Sequence, residues 1–302
     1  MLRALAILIC GTFIGAALLT PALYSLLGWL LGETPWQFSR VFDRVAMLVA
    51  LLLLLTLRRK LPLGEVRQAF RTMGRGWQCG VLLSLGMVCS LGGSLAALPF
   101  LVDGTKLSWE ASGAPLDYLW KILRTLPAAL LIASIEESFF RVLMIRSLSA
   151  RFSTAVALAG SSVLYAAVHF IRPVKDFAYT EFSLIAGFEY LAAVGERLLD
   201  AQLLPPFVGL LILGLTLALI FVRTSSIYLC IGLHAGWIVA VKLTALMILV
   251  QPHSGAFQGL PRQYLFIAQP LAWVAVLLAG AVACSLFNFG NPKTTQDRPL
   301  RH

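Results

Sequence analysis

The chain has 302 residues, of which 59% are hydrophobic and only 13% charged, and its mean hydropathy is +0.85. That composition excludes a soluble globular domain and fits a polytopic membrane protein. The net charge of +10 is spread over alternate loops between apolar stretches rather than gathered on one surface, so a nucleic-acid partner is not expected.

A helix needs roughly 20 apolar residues to cross hydrocarbon. Eight stretches approach that length, at residues 4–30, 41–57, 77–101, 125–146, 152–171, 205–222, 226–250 and 268–288. The expected fold is therefore all-α, a polytopic membrane helical bundle with about eight transmembrane helices. The first stretch follows Met-Leu-Arg as a signal peptide would. Its apolar run is longer than a secretory h-region, and it is read as a retained span. Between the second and third stretches, Leu61, Leu63, Val66 and Phe70 stand among Arg58, Arg59, Lys60, Arg67, Arg71 and Arg75, which predicts an amphipathic helix on the inner headgroups.

Arg146 and Arg151 crowd the fourth connection, Arg223 the sixth, and Lys293, Arg298 and Arg301 the tail. By the positive-inside rule these segments face the cytoplasm, which puts both termini inside, in a bacterial inner membrane as the expected home. The opposite connections agree. Residues 102–118 hold Asp103, Glu110 and Asp117 against Lys106, and residues 172–204 hold five acids against Arg172, Lys175 and Arg197. The latter segment is predicted to form one or two interfacial helices, placed directly after His169 where it could cap a site. Cys10, Cys79, Cys89, Cys230 and Cys284 show no CxxC pair or ligand spacing and read as small core hydrophobes. The chain reads as one membrane domain in three parts: N-terminal helices with a basic cytoplasmic loop (1–124), a core carrying the rare polar groups (125–250), and a C-terminal helix with a basic tail (251–302).

Those polar groups are the informative ones. The string SIEESFFR puts Glu136, Glu137 and Arg141 on the fourth span, SSVLYAAVHF puts Tyr165 and His169 on the fifth, and IGLHAGW puts His234 on the seventh. A charge at the centre of a span costs roughly 2.5–3.5 kcal/mol on insertion scales, so such residues mark partners or a task. Of the four histidines in the chain, His253 and His302 fall outside the spans. At about 100° per residue the two glutamates point apart, while Glu137 and Arg141 at i and i+4 can pair. Glu136 is left to face another helix and share a proton or a water with an imidazole there. Tyr165 and His169, also four apart, lie on one helix face, so the hydroxyl could orient the ring or contact a substrate. Each has a structural alternative: interhelical ion-pair glue for Glu137 and Arg141, and packing for the histidines and Tyr165.

The order EExxxR, an aromatic four residues before a histidine, and a histidine in a later span resembles the CPBP intramembrane protease family, which includes the type II CAAX prenyl proteases and the Abi-like proteins. The resemblance covers about residues 125–246 and includes VRTSSIYLCIGLHAGW. It implies an intramembrane endopeptidase of glutamic type with a CPBP-like catalytic core at 125–250. A hydrophobic, membrane-anchored or lipid-anchored peptide in the bilayer would be its substrate. Glu136 and His169 would polarise the attacking water, Glu137 and Arg141 would hold the site, and His234 would steady the oxyanion. No cofactor is expected. Zinc is the alternative, held by Glu136, His169 and His234, since one carboxylate and two imidazoles suit it, but the chain has no HExxH.

The family places Asn or Asp four residues after its last histidine, and here that residue is Ile238. Losing one oxyanion donor costs on the order of 10²–10³ in rate, and Trp237, with its indole N–H, is the neighbouring substitute. The change also favours a catalytically silent CPBP-like scaffold or immunity protein. A proton-coupled transporter is the reading from another class, although no internal repeat supports it. Straight helices further predict that His169 and His234 differ in depth by about 13 Å, a gap that bending at Gly232 and Gly236 could close.

Overall fold

The computed structural model describes residues 1–32, 36–71, 76–103, 107–109, 115–171, 174, 177–250 and 262–290. Its helices are, in chain order, α1 (Leu2–Leu31), α2 (Phe38–Leu57), α3 (Leu63–Arg71), α4 (Gly76–Asp103), α5 (Pro115–Glu137), a π-helical segment (Ser138–Met144), α6 (Ile145–Ser149), α7 (Thr154–Val168), α8 (Ala186–Leu198), a 3-10 turn (Ala201–Leu203), α9 (Leu204–Thr224), α10 (Ile227–Met247), α11 (Arg262–Leu265) and α12 (Pro270–Gly290). Two three-residue strands, β1 (Leu107–Trp109) and β2 (Ile248–Val250), pair antiparallel with Leu107 opposite Val250. The expected helical membrane bundle holds. All eight apolar stretches lie mostly on helices, the fourth across α5, the π segment and α6, and the seventh ending in β2. Among the described residues, four helical stretches are long and apolar enough to cross a membrane: Leu2–Leu31, Ala201–Thr224, Ile227–Ala245 and Pro270–Phe287. Val81–Ala97 and Thr154–Val168 are shorter apolar helices.

The predicted helices in the second and fifth connections also form, as α3 and α8. Arg75, Lys106, Glu110, Arg172, Lys175, His253 and the tail with Lys293, Arg298, Arg301 and His302 lie outside the described residues.

The chain divides into two compact units, one of residues 1–63 and 167–201, the other of 64–166 and 202–302. In the first, α1, α2 and α8 enclose Ala16, Ala17, Phe38, Val41, Phe42, Val45, Tyr190 and Val194. Aromatic rings fill the gaps, with Phe38 stacked on Tyr179 at 5.1 Å and Phe42 against Tyr190 at 4.7 Å. Their hydroxyls find partners inside the unit. Tyr179 Oη lies 2.7 Å from Ser25 Oγ and donates to the Pro21 carbonyl, while Tyr190 Oη accepts from the Val174 N–H. A buried tyrosine keeps its packing advantage only when its hydroxyl is matched in this way.

The second unit is organised around α10, which packs most extensively on α4 and next on α5. The reason is in the sequence GLHAG: Gly232 and Gly236 sit one turn apart on the face toward α4. A β-carbon on Gly232 would collide with the Leu83 backbone, and one on Gly236 with Ser90 Oγ and the Met87 backbone. Gly86 of α4 meets α10 equally closely, against the backbone at Leu229 and Leu233. Small residues at this spacing let two helices approach backbone to backbone, where dispersion substitutes for a hydrophobic drive that lipid does not supply. The two glycines singled out from the sequence thus seat α10 against α4.

Candidate active site

Five of the polar residues predicted from sequence come together in the second unit: Glu136, Glu137, Arg141, Tyr165 and His234. Helix α5 ends at the two glutamates, and the chain passes at once into the π segment. Ser134 and Ser138 each bond back to a carbonyl four residues earlier, a pattern that loosens and bends a helix. Beyond them the Ile145 N–H reaches the Phe140 carbonyl five residues back, the π register. The Phe140 carbonyl also accepts from Ser161 Oγ at 2.9 Å, which ties the wide turn to α7. Short π segments of this kind recur at functional sites because they re-aim side chains.

Glu137 is completely buried and uses both oxygens. Its Oε2 accepts from Arg141 Nε at 2.8 Å, and its Oε1 lies 2.9 Å from His234 Nδ1. The expectation that Arg141 alone neutralises Glu137 within its helix is thus half of what is found. The carboxylate also spans to α10 and holds the histidine. Since a carboxylate paired with a guanidinium only accepts, Nδ1 is protonated and donates to it, and Nε2 is the nitrogen that faces the other polar groups. Nε2 lies 3.2 Å from Tyr165 Oη and 3.8 Å from Glu136 Oε2. The latter separation is too long for a direct hydrogen bond and short enough for one water to touch both.

Arg141 is fully buried, with its Cζ 5.2 Å from the centre of the Tyr165 ring, within cation–π range. Among the described residues its Nη1 and Nη2 have no hydrogen-bond partner. Tyr165 is fully buried as well, edge-on to Phe140 at 5.3 Å and to His234 at 5.7 Å. Glu136 differs from all of these: 27% of its side chain is exposed, against none of Glu137. The exposure belongs to the rest of the side chain, since Oε2, the oxygen toward His234, is itself buried.

His169 stands in the turn that ends α7, one residue past Val168 and four past Tyr165, where the chain enters the first unit. Trp237 is buried. Its ring packs on Phe266 at 5.5 Å and lines a small cavity with Ser90, Thr216 and Leu217, and its indole N–H has no hydrogen-bond partner among the described residues. Ile238, where the family has Asn or Asp, is half-buried. Ser161, which sequence reasoning passed over, was visible only as a hydroxyl in an otherwise apolar helix.

Residues 118–240 match the family model described as type II CAAX prenyl endopeptidase Rce1-like. The resemblance read from the motifs therefore holds, and the match contains every one of the polar positions above. The matched family is one of CAAX-type intramembrane proteases, which act in the membrane on membrane-anchored substrates. With the apolar helices, it marks the chain as an integral membrane protein. No curated protein and no solved structure matches the chain.

Proposed function

We propose that the protein is an intramembrane endopeptidase that hydrolyses a peptide bond of a hydrophobic or membrane-anchored substrate with a carboxylate-activated water. The observation that carries this reading is the division of labour between adjacent glutamates. Glu137 is buried and committed to Arg141 and His234, while Glu136 is partly exposed and its Oε2 lies 3.8 Å from His234 Nε2, close enough for one water beside the pair to touch both.

In the proposed reaction Glu136, with His169 from the end of α7, takes a proton from water as its oxygen attacks the scissile carbonyl carbon. The proton then passes to the departing amine as the carbon–nitrogen bond breaks. His234, fixed through Nδ1 by Glu137, acts as the imidazolium and donates Nε2–H to the oxyanion, an arrangement in which a second group sets the ring's orientation. Tyr165 supplies the second oxyanion donor. Its hydroxyl already shares the Nε2 of His234, and it fills the role left vacant by Ile238 better than Trp237, whose indole lies in a separate cavity. Preorganised donors of this kind contribute most in a site from which water is largely excluded.

The donor chemistry also fits zinc, since Glu136 Oε2 and His234 Nε2 are neighbours and Glu137 supports the histidine from behind, as outer-shell carboxylates do in metal sites. Glu136, His234 and His169 would hold the ion, which when bound would polarise the attacking water. The preferred reading is metal-free.

The test compares peptide termini in membranes from cells making the native chain or Glu136→Gln at matched levels. Cleavage products that vanish with Glu136→Gln support the hydrolase and name its substrate. Identical termini alongside a phenotype that still needs the protein would replace the hydrolase with a catalytically silent scaffold.

A further inference from the structure

Within the first unit, α1 and α2 border an open groove of about 620 Å³ that takes no part in the proposed chemistry. One wall is apolar, with Leu27 from α1 and Leu48 from α2. The other end is charged, with Arg40, Asp43 and Arg44 beside Trp36. Arg40, Arg44 and Leu48 follow at intervals of four along α2, so they lie on one face with the guanidiniums one turn apart. Among the described residues neither arginine has a carboxylate within ion-pair distance, and Arg44 makes its one side-chain hydrogen bond to Met47 Sδ at 3.5 Å. The charged end is held in place, because Tyr24 Oη donates to the Trp36 carbonyl at 3.1 Å and the Tyr24 ring packs on Phe38.

We propose that this groove seats one anionic glycerophospholipid of the surrounding bilayer, its phosphate on Arg40 and Arg44 and an acyl chain along Leu27 and Leu48. Charge complementarity selects the occupant. Two guanidiniums against one carboxylate leave a single positive charge, which a phosphatidylglycerol headgroup neutralises and a net-neutral phosphatidylethanolamine does not. Guanidinium forks suit phosphate oxygens, and basic residues beside an interfacial tryptophan are where headgroups sit. The apolar lining supplies the second half of the match, since a headgroup ligand without an acyl chain would leave Leu27 and Leu48 uncovered.

The experiment is native mass spectrometry of the full chain in detergent, titrated separately with phosphatidylglycerol, phosphatidylethanolamine and the soluble headgroup glycerol phosphate. The expected result is one phosphatidylglycerol bound at least about tenfold tighter than phosphatidylethanolamine, with no binding of glycerol phosphate. In Arg40→Gln/Arg44→Gln that preference collapses, and in Arg40→Lys/Arg44→Lys, which keeps the charge, most of it returns. Leu48→Trp, which fills the apolar end without touching the charges, is expected to displace the lipid. Equal retention of the two lipids by the native chain, or undiminished phosphatidylglycerol binding by a monodisperse Arg40→Gln/Arg44→Gln variant, overturns the proposal. Binding of glycerol phosphate as tight as that of the lipid overturns it too, in favour of a simple anion site. None of these readouts involves peptide cleavage, so a failure here and a failure of the hydrolase reading are separately visible.

Discussion

His234 Nδ1 lies 2.9 Å from Glu137 Oε1 across a separation of 97 residues in the chain. This contact links the helix that carries the two glutamates to the helix that carries the last histidine, and in the proposed reaction it makes the second carboxylate a positioning group rather than a reacting one.

The two glutamates should therefore fail differently. Glu137→Gln removes a charge that Arg141 and His234 both face inside the fold. Breaking a buried pair from one side costs about 3–5 kcal/mol, so a marked drop in melting temperature in detergent is expected together with loss of cleavage. Glu136→Gln is expected to melt within a few degrees of the native chain and to lose cleavage alone. Equal melting temperatures for the two variants would remove the distinction drawn between them.

Arg141→Met keeps the side-chain length and leaves the Glu137 carboxylate without its guanidinium. A loss of about 3–5 kcal/mol is expected, seen as aggregation on heating well below the native transition. Arg141→Lys should recover only part of it, because the ammonium keeps the charge but not the planar contact with the Tyr165 ring.

Tyr165→Phe deletes one hydroxyl and leaves the ring packing on Phe140 and Arg141. If that hydroxyl is the second oxyanion donor, the cleavage rate falls on the order of 10²-fold with little change in substrate affinity. Adding Ile238→Asn should then restore much of the rate, which a purely structural role for Tyr165 would not allow. Trp237→Phe is expected to leave the rate within about threefold of native, the size of an ordinary packing change.

Gly232→Leu tests the clamp between α10 and α4. The obstacle is the Leu83 backbone, which cannot rotate aside as a side chain can, so a destabilisation of about 3 kcal/mol or more is expected. Size-exclusion profiles of the Gly232→Leu chain read this directly; a monodisperse, active variant would show that α10 holds His234 without the close approach.

The helices were legible because the bilayer favours long apolar runs, and each run between residue 4 and residue 288 could be picked out independently of the others, although among the described residues only four helical stretches are long and apolar enough to cross a membrane. The polar positions were legible for the same reason in reverse, since Glu136, Glu137, Arg141 and His234 stand out where charge is costly. Which atoms they address was not. The i and i+4 spacing of Glu137 and Arg141 is local and could be read. The reach of Glu137 to His234 depends on how α5 and α10 pack, and on a π segment that no propensity in SFFRVLM announces. The close approach that Gly232 and Gly236 allow was not legible, because a glycine pair flanking a histidine looks the same whether it bends a helix or seats it against another. The depth offset that straight helices imply concerns His169 and His234; Tyr165, one turn earlier on α7, is the residue of that helix whose hydroxyl lies 3.2 Å from His234 Nε2.

The pairing within SIEESFFR bears on how the chain is made. Synthesis runs from the N-terminus, so the helix bearing Glu137 leaves the ribosome and meets the insertion machinery long before His234 exists. A lone carboxylate would wait in that interval for a partner 97 residues away. Arg141, one turn behind on the same segment, travels with it and offsets its charge on entry, so the segment can be lodged in lipid while the rest of its site is still being translated. The ion pair serves as a provisional partner first and as part of the finished site afterwards.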